Sequence, residues 1–194
     1  MGLAEKPSAP RMTVAEFLDL PGDGQPGKRE LVHGSIRAMA PPSPTHGVLQ
    51  VAIASAIREH LRKRDSPCRV GTEVGVIPIW DPKHNVRAPD ITVTCKPATR
   101  GERTFPEPVL IVQIHSPSNE KGTWESIQAC ATIPSLAEIV VVAFDAIRMS
   151  IFRKGPDSVW PEKPDIVEAG GTVRLASIDA SFEIDEVYAG TVLE

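Results

Sequence analysis

Three polar residues stand in runs that otherwise read as strands. Asp90 lies at the mouth of VRAPDITVTC, residues 86–95, Gln113 in the middle of PVLIVQIH, residues 108–115, and Glu30 in RELVHG, residues 29–34. A carboxylate or amide in such a run costs energy unless it finds a partner. Each is therefore a turn or edge residue, or a ligand. Strict alternation puts Ile91, Val93 and Cys95 on one side and Asp90, Thr92 and Thr94 on the other, with Gln113 and His115 opposite Leu110, Val112 and Ile114. Two strands then each present a polar oxygen, and Glu30 or Glu73 would complete an oxygen set of the kind that holds Mg²⁺. The bland alternative, Gln113 bonded to its neighbours and Asp90 capping an X-Pro-Asp turn, stays open on these residues alone.

The elements that must position them follow from periodicity. MTVAEFLDLP carries Thr13 and Glu16 in capping-box spacing and stops at Pro21, a short helix. GDGQPG, residues 22–27, has the letters of a phosphate loop but follows a helix and contains Pro26, so it reads as an ordinary loop. RELVHGSIRAM reads as a hairpin turning at His33-Gly34. In HGVLQVAIASAIREHLRKR, Leu49, Ile53, Ile57 and Leu61 recur every four residues, which predicts a helix, with Arg62, Lys63 and Arg64 in its last turn as a solvated, dipole-favoured cap. CRVGTEVGVIPI, APDITVTC and PVLIVQIH then read as strands. SNEKGTWESIQACA follows as a helix capped by Ser118 or Asn119, LAEIVVVAF as a buried strand, and short strands with a last helical turn fill the tail. This order predicts an α/β (α+β) domain with one mixed sheet flanked by helices.

Composition sets bounds without naming a function. The chain has 194 residues and a net charge of −4, enough for one sizeable core, and its 19 prolines punctuate loops between apolar runs. Residues 1–10 read as a disordered N-terminal segment and residues 11–194 as a single domain. No apolar run reaches the roughly 20 residues that cross a bilayer, so no membrane partner is expected. Cys68, Cys95 and Cys130 are odd in number and form no C-x-x-C pair, which argues against disulfides and zinc and fits a reducing cytoplasm. The histidines lack H-E-x-x-H spacing, and no G-x-S-x-G elbow is present.

The succession KRELVHGSIRAMAPPSPTHG, GTEVGV, VRAPDITV, VLIVQIHSPSNE and ATIPSLAEIVVV resembles the Uma-type restriction endonuclease family of the PD-(D/E)XK nuclease superfamily, over roughly residues 11–188. The resemblance implies a restriction-endonuclease-like fold, hydrolysis of DNA phosphodiesters with weakly held Mg²⁺ or Mn²⁺, a homodimer, and no nucleotide cofactor. Of its four site positions, Glu30 and Asp90 match. Gln113 stands where the pattern calls for Glu, and Ser126 where it calls for Lys. Those departures weaken the hold on a dication and remove a cation from the transition state. Lys121, about one turn before Ser126, is the candidate substitute, and His46 matches a family histidine placed to contact the site or the nucleic acid. The rival expectation is a non-catalytic descendant that keeps the fold for nucleic-acid binding or protein interaction.

Overall fold

The computed structural model describes residues 11–21, 27–115 and 120–193. The N-terminal segment 1–10, most of the GDGQPG loop and the two expected caps, Ser118 and Asn119, lie outside the described residues.

Six strands form the main sheet in the order β3-β4-β5-β6-β7-β8, with β3 Arg69–Thr72, β4 Ile91–Thr94, β5 Pro108–His115, β6 Glu138–Ala143, β7 Arg148–Arg153 and β8 Asp165–Glu168. Only β5 and β6 run parallel, and the helix α3, Glu120–Ala131, makes the crossover between them. The other neighbours are antiparallel, so the sheet is mixed. Two small hairpins complete the fold. One is β1 Arg29–Val32 with β2 Ser35–Ala38; the other is β9 Thr172–Leu175 with β10 Ala180–Glu183. The β1–β2 turn falls on His33 and Gly34, both at positive φ (51° and 80°), the geometry of a tight two-residue hairpin.

Each sheet face has its own core. The four-residue stripe Leu49, Ile53, Ile57 and Leu61 of α2, Pro44–Lys63, is buried against Ile91, Val93, Leu110, Val112 and Ile114, and α4, Ile184–Tyr188, closes the same core. On the other face Ile127 and Cys130 of α3 pack on Ile111, Ile139 and Val141. The Thr13–Glu16 capping box starts α1, Val14–Asp19. No helix among the described residues is long and apolar enough to cross a membrane.

Two sequence expectations are corrected. CRVGTEVGVIPI is not one strand: β3 stops at Thr72 because Glu73 turns to φ 55°, and the chain regains pairing only at the Val76–Arg87 bridge. The cysteines do form a disulfide, Cys68–Cys95. The β3–β4 register pairs Arg69 with Thr94, so Cys68 and Cys95 are the next facing positions beyond the ladder. Cysteine content therefore gives no argument for a reducing compartment. Cys130 remains a free, buried thiol.

Candidate nuclease-type site

Cross-strand pairing delivers the central pair. Ile91 faces Val112 and Thr92 faces Ile111 between β4 and β5, so one step further Asp90 stands opposite Gln113. The Asp90 carboxylate is anchored there by the Ile114 N–H, which donates to Oδ2 over 2.7 Å. Its main-chain carbonyl accepts from the Gln50 side-chain amide of α2 over 2.9 Å, and from the Glu73 N–H over 3.2 Å. Asp90 is thus a buried, fully held carboxylate (2% exposed).

Its other oxygen is met by two side-chain nitrogens. Lys28, just ahead of β1, brings Nζ to 2.8 Å from Asp90 Oδ1, and His46 in the first turn of α2 brings Nε2 to 3.4 Å from the same atom. Strand β1 is held beside the 86–90 segment by the Leu31–Val86 bridge, which is what carries Lys28 to Asp90 and Glu30 to Arg87. Glu30 accepts from the Ala88 N–H (3.0 Å), from the Ser126 hydroxyl (3.3 Å) and from Arg87 Nη1 (3.3 Å). Arg87 is itself fully buried, with Nε finding no hydrogen-bond partner among the described residues.

Of the positions singled out in the sequence, His46 meets Asp90, Gln113 stands across the strand pair from Asp90, and Glu30 meets Ser126. Lys121 does not take part. Its side chain is 93% exposed and, among the described residues, reaches Glu125 at 4.0 Å, because position 121 lies on the outer face of α3. Glu73 contributes its backbone while its side chain is exposed. Sequence reasoning missed Lys28, Arg87 and Gln50. Arg87, three residues before Asp90, carried the one available signal: a charged residue in a run that the flanking pattern buries.

Burial alone would raise the Asp90 pKa. The His46 hydrogen bond and the Lys28 charge outweigh it and hold the carboxyl below its ordinary value. The unfolded chain, with an ordinary aspartate near pH 3.9, therefore takes up the proton first as pH falls. Stability that Asp90 contributes is fully present above that value and is lost as pH drops through the lower native one. Melting temperatures recorded across the acid range are expected to fall more steeply for wild type than for Asp90→Asn. Cys130 behaves oppositely. Burial first, then the Glu30 charge, pushes its thiol up to about 12, so it is packing and not a nucleophile.

The donor set does not suit a hard dication. Among the described residues no three His, Cys, Asp or Glu side chains group to hold a metal. Both Asp90 oxygens and both Glu30 oxygens already face protein donors, and Gln113 offers no charge. Two carboxylates are matched by Lys28 and Arg87, so the site is neutral before His46 is counted, whereas Mg²⁺ is drawn to uncompensated anionic oxygens.

The model of the Uma2 family, described as "Putative restriction endonuclease", matches residues 14–185. The chain belongs to the Uma2 family. An uncharacterised protein of Synechocystis sp. is 30% identical to this Uma2 chain over 192 residues, covering 97% of it and 98% of the relative. A crystal structure of a "putative nuclease belonging to DUF820" from Anabaena variabilis superposes with a TM-score of 0.72 at 18% identity, covering 91% of this chain and 97% of that one. That likeness establishes a shared fold.

Proposed function

We propose that this Uma2 protein binds nucleic-acid phosphate at the Asp90 site without hydrolysing it by the divalent-metal route. One observation carries the reading: each buried carboxylate of the site has a cation supplied by the protein itself, Lys28 for Asp90 and Arg87 for Glu30. A site with uncompensated carboxylates repels a phosphodiester until a metal enters. A neutral site rimmed by His46 and the N-terminal end of the 20-residue helix α2 has no such barrier. Association as a two-fold dimer belongs to the same reading, since symmetric pairs suit two-stranded targets.

The second reading, a Mg²⁺-dependent DNA endonuclease with a degenerate site, draws support from the cross-strand placement of Asp90 and Gln113. It requires the metal to displace Lys28 and His46 from Asp90.

Fluorescence anisotropy with labelled duplex DNA, paired with a supercoiled-plasmid assay, separates the two. Equal binding in EDTA and in Mg²⁺, falling with added salt and without nicking, is the expected result. Nicking that needs Mg²⁺ or Mn²⁺ and disappears in Asp90→Ala would establish the endonuclease instead.

A further inference from the structure

The β3–β4 ladder runs from Thr72 facing Ile91, beside Asp90, to Arg69 facing Thr94, so the Cys68–Cys95 disulfide closes the end of the sheet away from the Asp90 site. Both cysteines are half-buried and not enclosed. An open cavity of about 660 Å³ lies there, between the end of α2 and the start of β3, lined by Cys68 itself and by Arg58, Arg62, Arg69 and Asp65. Cys95 is not among the described residues that line it. Arg69 is already taken, since its guanidinium makes two 2.6 Å hydrogen bonds to Glu102. Arg58 and Arg62, one turn apart at exposed positions of α2, are in no ion pair among the described residues, and Asp65 is the acid set against them. Two unpaired guanidiniums against one carboxylate leave the cavity with an excess of positive charge beside one sulfur of the bond.

We propose that Cys68 is a site of thiol–disulfide exchange with small thiols that carry carboxylates, which the Arg58 and Arg62 guanidiniums receive in this cavity. The inference stands apart from the nucleic-acid reading of the Asp90 site and does not depend on it. The incoming thiolate attacks Cys68 Sγ, a mixed disulfide forms there, the bond to Cys95 breaks, and Cys95 leaves as a thiolate that takes a proton from water. A second thiol then attacks the mixed disulfide and releases the Cys68 thiol with the oxidised thiol dimer. Two small thiols are oxidised as one protein disulfide is reduced. Guanidiniums suit the task because they stay charged and pair with carboxylates in a fixed geometry. The exchange releases the start of β3, an edge strand whose sheet neighbour is β4.

The test takes the oxidised full chain at low ionic strength and measures its reduction by mercaptosuccinate, which carries carboxylates, by neutral 2-mercaptoethanol and by cationic cysteamine. Samples are quenched with N-ethylmaleimide and mapped by peptide mass spectrometry, and each rate is divided by the same thiol's rate with 2-hydroxyethyl disulfide, which removes intrinsic reactivity. The normalised rate for mercaptosuccinate should exceed that for cysteamine by about tenfold. The thiol adduct should sit on Cys68, with the maleimide on Cys95. In the double variant Arg58→Gln/Arg62→Gln the preference should fall to within about twofold, and about 1 M sodium chloride, which needs no variant, should do the same to wild type. Equal normalised rates for the three thiols in wild type overturn the proposal. So does an adduct on Cys95, a bond that resists all three thiols in the native protein, or a preference that survives both the double variant and the salt.

Discussion

Arg87→Met is expected to lower the unfolding free energy by about 3 to 5 kcal/mol, the range for removing one partner of a buried ion pair. Both side chains are enclosed, Arg87 at 2% and Glu30 at 1% exposure, so water cannot take over from the guanidinium. Glu30 would keep only the Ala88 N–H and the Ser126 hydroxyl. Adding Glu30→Leu to Arg87→Met should recover most of the loss, because replacing both charges by apolar groups removes the uncompensated one. Urea melts of the two single variants and the double variant read this directly. A single-variant loss under about 1 kcal/mol, the value of an exposed pair, would mean that Arg87 does not neutralise Glu30.

Gln113→Glu is the second large effect. It places a new carboxylate opposite Asp90, at a position 8% exposed, where Lys28 is already paired with Asp90. Without metal the variant should lose several kcal/mol at neutral pH, the order expected for a buried charge lacking a partner. The loss should shrink as pH is lowered and one of the two facing carboxyls takes up a proton. Mg²⁺ should restore the stability fully only when Lys28→Ala is also present, since then two anionic oxygens face an ion with no competing ammonium. Adding Ser126→Lys is not expected to help folding, because position 126 is 3% exposed and sits against Glu30, which Arg87 already neutralises. Thermal melts with and without Mg²⁺ across the pH range check each step. A Gln113→Glu variant as stable as wild type in EDTA would show that the position is open to water and not part of a closed site.

Much of the scaffold was legible because its signals are local. Leu49, Ile53, Ile57 and Leu61 mark the buried face of α2 by their spacing alone, and His33-Gly34 marks a hairpin by turn chemistry. The shared side of Asp90 and Gln113 followed from strand alternation, which fixes the face once the strands pair. The charge balance of the site was not legible. Lys28 meets Asp90 across 62 residues and Arg87 meets Glu30 across 57, separations that leave no periodic trace. In the sequence Lys28 carried no signal of a role, while Lys121, nearer to Ser126 in number, drew attention that its exposed helix face does not support. Cys68 and Cys95 were missed for the same reason. Their pairing depends on the β3–β4 register, 27 residues apart, and not on a motif.

The same distinction separates family from activity. Membership of the Uma2 family rests on matches along residues 14–185 and carries the fold. What the site does depends on four side-chain charges, and those are set by Lys28, Arg87, Glu30 and Asp90 together. Exchange of one residue among them changes the sign of the potential that a phosphate or a dication meets.

Isothermal titration of the wild-type protein with Mg²⁺ at neutral pH and moderate ionic strength tests the central claim most directly, with Asp90→Ala as the control. If Lys28 and Arg87 already balance the two carboxylates, wild type and Asp90→Ala give the same weak, unsaturable heats into the millimolar range. A saturable site of one Mg²⁺ per chain in wild type that vanishes in Asp90→Ala would contradict the account.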